Sequence, residues 1–381
     1  MGSAALFDAK GAFGARRLRE AAQAAVVDIL AIKSDERFLI ISEADPERFP
    51  IAQALHDAAV AAGAETVIVL QPRRDEAAPA HDVVLRALET EPDAVAVVTA
   101  GRLGADPARI SRPLHGRYTH YLEYLVGEGR SRAFWATGVP KSAFERCLAI
   151  DHAALRRSAQ DLKGALADAV ELRITSGSGT DLVLPVRGQE AYAEDGDLRG
   201  IGSGGELPPG AVRAPVEGGA TGRLVVDGSL ALPGHSEVLR SALTLEVEEG
   251  RVTRAEGADA ERMQAAFRSA GRLAEQAVQN GRLTRDEAEV YASNVRRIAE
   301  VGVGLNPAAR LCGIPLVDMK AAGTIHLVVG AGSRETPPGA PLSVRVVLKK
   351  ATLVVVHPDG SETVIVAEGS VAVAPRAMAR A

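Results

Sequence analysis

Three short apolar segments separated by helical stretches restrict the first third of this chain more than any other feature. Arg37-Phe-Leu-Ile-Ile-Ser, Glu65-Thr-Val-Ile-Val-Leu and Asp93-Ala-Val-Ala-Val-Val-Thr have the length and branched content of strands buried on both faces. Between the first two, residues 50–62 carry a helical pattern that ends at Gly63, a residue suited to a helix C-cap. Strand, helix, strand in this rhythm specifies a doubly wound parallel sheet. The turn after the first strand reads Ser42-Glu-Ala-Asp-Pro rather than GxGxxG, so a dinucleotide site is unsupported.

The pattern changes after a helical stretch at residues 151–169. Leu172-Arg-Ile-Thr, Asp181-Leu-Val-Leu-Pro-Val and Arg223-Leu-Val-Val-Asp-Gly are strands divided by glycine-rich turns, and residues 242–253 form a hairpin. Helices are expected over residues 259–280 and 284–300, followed by strands at Thr324, Ser343, Thr352 and Glu362. The expected division is an N-terminal α/β domain over 1–165 and a C-terminal α+β domain over 166–381.

Composition limits the function classes. The formal net charge is -5, with acidic and basic residues well mixed, and no basic stripe interleaved with aromatics points to nucleic acid. Cys147 and Cys312 lie far apart with no CxxC spacing, as in a reduced compartment. The opening MGSAALFDAK carries Asp8 and lacks a secretory apolar core. No apolar run approaches the ~20 residues that span a bilayer. A cytoplasmic protein without membrane or nucleic-acid partners is expected.

Glu206, Glu300 and His326 occupy settings unlike ordinary surface positions. Glu206 lies in the glycine- and proline-rich segment Gly202-Ser-Gly-Gly-Glu-Leu-Pro-Pro-Gly. Glu300 closes the helix expected over 284–300, where the macrodipole disfavours a carboxylate and invites a cation, or a salt bridge to Arg296 or Arg297. His326 stands inside an apolar strand, and alternation places it with Thr324 and Val328, opposite Ile325 and Leu327. Carboxylate and imidazole donors drawn from separate segments suit a divalent ion. Tyr118 and His120 sit in Leu114-His-Gly-Arg-Tyr-Thr-His-Tyr-Leu-Glu-Tyr, a dense aromatic cluster that either lines a substrate pocket or packs as a helix.

Gly179-Thr-Asp-Leu, Gly204-Gly-Glu-Leu-Pro-Pro-Gly, Val225-Val-Asp-Gly-Ser, Glu249-Gly-Arg-Val, Ala299-Glu-Val-Gly-Val-Gly-Leu-Asn-Pro and Gly323-Thr-Ile-His-Leu-Val-Val-Gly occur in this order. Together they resemble the aminopeptidase T family of metallopeptidases over nearly the whole chain. The resemblance implies an N-terminal α/β domain, a C-terminal domain of the aminopeptidase T type, a homodimer, and metal ligation by Glu206, Glu300 and His326. The chain departs from the family pattern where a His-x-Asp pair is expected, because Arg345 and Val347 stand there. It also lacks the family's tyrosine, since Ala331-Gly-Ser-Arg-Glu occupies that segment. His357 and Asp359, in an expected hairpin turn, are the available substitutes.

These departures remove anionic ligands that a pair of dications needs. A two-metal site is therefore disfavoured, leaving one zinc, manganese or iron ion, or none with Arg345 paired to a glutamate. The expected function is metal-dependent hydrolysis of an amide or related bond in a small molecule or peptide. Glu206 and Arg345 would act in catalysis, and Arg345, Tyr118 and His120 would bind substrate. Two alternatives stand beside it. One is a ring-cleaving dioxygenase of the 2,5-dihydroxypyridine type with a single iron, and the other is a non-catalytic binding protein of a biosynthetic pathway.

Overall fold

The structure is a computed structural model that describes residues 12–74, 78–101, 103–332 and 339–372. The opening Met-Gly-Ser, and Ser333 to Glu335 of the segment without the tyrosine, lie outside the described residues. Strands run in chain order as β1 (Arg37–Ser42), β2 (Glu65–Leu70), β3 (Ala94–Val98), β4 (Arg132–Trp135), β5 (Glu171–Ser176), β6 (Asp181–Pro185) and β7 (Tyr192–Glu194). Next come β8 (Gly204–Glu206), β9 (Ala211–Pro215), β10 (Thr221–Val226), β11 (Ser229–Leu232), β12 (His235–Val238), β13 (Leu243–Glu248) and β14 (Arg251–Gly257). The last are β15 (Ile298–Gly304), β16 (Ile325–Gly330), β17 (Ser343–Leu348), β18 (Ala351–Val356), β19 (Glu362–Ala367) and β20 (Ser370–Val371).

The chain divides into two compact units. The first runs to His152 and takes in residues 196–209, and the second holds residues 153–195 and the chain from Gly210 onward. This division differs from the one expected at residue 165, because Gly204–Glu206 does not stay with its sequence neighbours. It adds to the sheet of the first unit, in the order β2-β1-β3-β4-β8, with every pairing parallel. The sheet is the one the apolar runs dictate. Leu39, Ile41, Val95 and Val97 point to one face and pack with Val84, Leu88 and Leu125.

The second unit contains two antiparallel sheets. Eight strands follow the order β14-β13-β10-β6-β5-β18-β19-β20, and seven follow β12-β11-β17-β16-β15-β9-β7. The hairpin expected over 242–253 is β13–β14, and the long amphipathic helix spans Ala260–Gln279. The next helix is shorter than its sequence pattern suggests. It opens with a capping box at Thr284 and covers Arg285–Ser293, with a 3-10 turn at Asn294–Arg296. Residues 298–304 then form a strand buried along its whole length. Glu300 is therefore in a strand, and the helix-dipole argument for a cation beside it does not apply.

Close strand approach sets one position in the eight-stranded sheet. Gly222 of β10 pairs with Leu182 and Val247 at φ +124°, and a Cβ there would collide with the Asp181 carbonyl. Gly222→Ala is expected to cost about 2 kcal/mol or more. A urea midpoint equal to that of the parent protein would contradict this account of the β6–β10 contact.

Candidate functional site

Alternation along the seven-stranded sheet separates two chemistries. Ala214, Val301, Leu327, Val346 and Leu230 lie side by side on one face, across β9, β15, β16, β17 and β11. The neighbouring rung, on the opposite face, reads Tyr192, Arg213, Gly302, His326, Val347 and Ser229. On the other side of the apolar rung, and on the same face as His326, lie Pro215, Glu300, Val328, Arg345 and Ala231. His326 shares its face with Val328, and the register brings Glu300 and Arg345 to the same face.

The floor of this face is a buried ionic network. Arg213 donates from Nη1 to Glu194 Oε1 and from Nη2 to Glu300 Oε2, both at 3.0 Å. Arg213 and Glu300 are each 2% exposed, so the second pair is almost wholly out of water. Lys320 Nζ makes a short ion pair with the other oxygen of Glu194. Lys320 is held in the β15–β16 connection by Asn306, whose N–H donates to the Lys320 carbonyl at 2.8 Å. Burial pushes the Glu194 carboxyl up, but Lys320 and Arg213 outweigh it and bring its pKa to about 2.

His326 has no exposed surface, and neither ring nitrogen has a hydrogen-bond partner among the described residues. Burial, reinforced by the charges of Arg213, Lys320 and Arg345 and opposed by Glu194, holds its pKa well below the usual 6.5. The imidazole is therefore neutral at physiological pH. Gly302 makes room for it, because a Cβ there would collide with the ring and sit 3.0 Å from Arg213 Cγ. The imidazole supports the floor and has no surface to offer a ligand. Tyr192, Glu194, Ser343 and Arg345 are partly exposed polar residues of this face, together with Pro215 and Ala231.

The remaining candidates lie elsewhere. Glu206 is in β8 of the first unit, paired in register with Trp135. Tyr118 and His120 also belong to the first unit. His120 Nδ1 accepts from the Leu122 N–H and caps the helix Tyr121–Gly127, while Tyr118 stacks under Arg117 and edges against Tyr124. His357 and Asp359 occupy the β18–β19 turn, where Asp359 accepts from the Ser361 N–H and hydroxyl. Glu194, Arg213 and Lys320 were not singled out from the sequence. Arg213 carried the same signal as His326, a polar residue inside an apolar strand, in Ala211-Val-Arg-Ala-Pro.

The donor set at this face does not fit a divalent ion. Its two carboxylates are already neutralised by Arg213 and Lys320, Arg345 adds a third cation, and the one imidazole stands among these charges. Among the described residues, His235, Glu237 and Asp259 form a group whose ligand atoms lie within 4.8 Å of one another. Arg262 already bonds there, 2.9 Å from His235 Nε2 and 2.7 Å from Asp259 Oδ1.

The two depressed pKa values make stability pH-dependent. Below pH 6.5 the unfolded imidazole takes a proton that the folded one refuses, and below 4.5 the unfolded Glu194 does the same. Stability is thus fully present above 6.5 and lost as pH falls, with Glu194 adding to the loss between about 4.5 and 2. The urea midpoint should decline between pH 7 and 5, and His326→Gln should flatten that decline. An unchanged slope in the variant would place the effect elsewhere.

Comparison with known proteins follows the same chain. The profile of the family described as 2,5-dihydroxypyridine 5,6-dioxygenase matches residues 20–333. The solved 2,5-dihydroxypyridine dioxygenase of Pseudomonas putida superposes with a TM-score of 0.68 at 19% identity, covering 94% of this chain and 98% of that one. Wild-type AmpT from Thermus thermophilus gives 0.63 at 17% identity, covering 94% and 99%. At these identities both likenesses establish the mixed α/β fold alone, and the relation to aminopeptidase T is one of fold. No curated protein matches the sequence. The family match overturns the expected hydrolase and aminopeptidase activity in favour of the dioxygenase alternative. It is consistent with a single divalent ion, and among the described residues His235, Glu237 and Asp259 are grouped closely enough to hold one. No helix among the described residues is long and apolar enough to cross a membrane. With most of its length matched, the chain belongs to the 2,5-dihydroxypyridine 5,6-dioxygenase family.

Proposed function

We propose that the chain is a ring-cleaving dioxygenase acting on a small, acidic hydroxylated aromatic of the dihydroxypyridine class. The observation that carries this reading is Arg345. It is partly exposed on the polar face of the seven-stranded sheet, on the strand beside His326. A guanidinium in that setting favours the ionised form of a ring hydroxyl or carboxylate. Ionising a ring hydroxyl raises the electron density of the ring, which is what attack by dioxygen requires. Ser343, two residues earlier on the same strand and face, has a buried hydroxyl without a partner among the described residues and can orient a polar substituent.

Iron is the finer cofactor expectation for an oxygenase, and the same assay tests it. Oxygen uptake with 2,5-dihydroxypyridine should be measurable, with loss of the ring absorbance, in protein supplied with or without ferrous iron. Arg345→Ala should raise KM at least tenfold, about 1.4 kcal/mol of lost binding, with a smaller change in kcat. Absence of oxygen uptake under both conditions across hydroxylated pyridines would overturn the reading.

A further inference from the structure

We infer that the open edge of β2 (Glu65–Leu70) is an interface with a second copy of this chain, the two β2 strands pairing antiparallel about a two-fold axis between their Ile68 residues. β2 ends the five-stranded sheet, and its one neighbour there is β1. The N–H groups of Glu65 and Gln71 donate to the carbonyls of Glu36 and Ser42 on the β1 side, both at 2.9 Å. Alternation therefore turns the N–H and C=O of Thr66, Ile68 and Leu70 to the open side. Such an edge is a template for another strand, and soluble proteins keep their edges short, charged, bulged or interrupted by proline. The other sheet edges among the described residues follow that rule. β7 and β8 have three residues each and β20 has two, β12 carries His235 and Glu237, and β14 carries Arg251, Arg254 and Glu256. β2 instead runs Thr66-Val-Ile-Val-Leu without charge or proline, in unbroken register with β1, and leaves Val67 59% and Leu70 43% exposed.

The strand is complementary to itself in one direction and one register. A closed two-fold contact between edges runs the copies antiparallel. With Ile68 facing Ile68, Thr66 faces Leu70 of the second copy and Leu70 faces Thr66, so each outward N–H and C=O of the three residues gains a partner. Moving the axis to Val69 sets Thr66 against Pro72, which has no N–H. Moving it to Val67 sets Leu70 against Ala64, whose N–H already bonds to Ala59. The favoured register lays Val67 beside Val69 of the second copy, on the face where Val69 packs against the cluster of Leu39, Val84 and Val97. The apolar face of the sheet then continues across the axis. Glu65 faces Gln71, two residues from Arg73, so opposite charges meet at both ends of the ribbon. Both charged residues are exposed, and neither side chain has a hydrogen bond or ion pair among the described residues. A parallel arrangement would set Glu65 against Glu65.

Sedimentation and cross-linking test the interface without recourse to turnover. The parent protein should sediment as a dimer at micromolar concentration. Val67→Lys, at a position exposed in the single chain, should fold and sediment as a monomer. In a Cys312→Ser background, which removes the exposed thiol, oxidation by diamide should link Ile68→Cys to its own copy and leave Glu65→Cys unlinked. Should Ile68→Cys fail to fold, Val67→Cys and Val69→Cys chains take its place and should link only when mixed. A monomeric parent overturns the inference and leaves the edge to a different strand. A dimer that Val67→Lys keeps and that the cysteines do not link is built on another surface, and overturns it equally. Where the two readouts of a dimeric parent disagree, the cross-link decides.

Discussion

One arginine clamped between two carboxylates, away from water, organises the polar face of the second unit. Removing Arg213 from its buried pair with Glu300 would cost about 3–5 kcal/mol. Arg213 satisfies both carboxylates, Lys320 completes Glu194, and the short stem contact at Gly302 fixes where His326 can lie. The depressed pKa of the imidazole follows from the same arrangement, because burial and the surrounding cations refuse it a proton. Remove the guanidinium and every other statement about this face changes.

The family and the geometry place different demands on this chemistry. Membership in a dioxygenase family points to oxygen chemistry on a hydroxylated pyridine, whereas the sheet face offers cations where ligands for an ion would be needed. In the function proposed above, the two meet in the charge of the substrate. A ring that carries ionised hydroxyls is an anion, and Arg345 is the cation proposed to receive it.

Much of the fold was legible in the sequence because its signals are local. Apolar runs at Arg37, Glu65 and Asp93 specify a parallel sheet whatever surrounds them, and alternation around His326 alone fixes its face. Glu300 was misplaced because the helical pattern of residues 285–293 runs into Val295, Ile298 and Val301 without a glycine or proline to mark the change. Burial along both faces of β15 decides the outcome there, and burial is not a local property. Glu206 was assigned to the wrong unit for a similar reason, since nothing in Gly204-Gly-Glu announces that it will pair with β4. Arg213 and Lys320 stayed hidden because their meaning lies in partners over a hundred positions away for Lys320 and nineteen for Arg213. A polar residue isolated in an apolar strand marks both His326 and Arg213.

Diffraction at the manganese absorption edge, from crystals of the parent protein grown with manganese, tests this account most directly. The account predicts guanidinium density between Glu194 and Glu300 and no anomalous peak within coordinating distance of Glu300 or His326. An anomalous peak bonded to those two side chains, with Arg213 turned away, would contradict it.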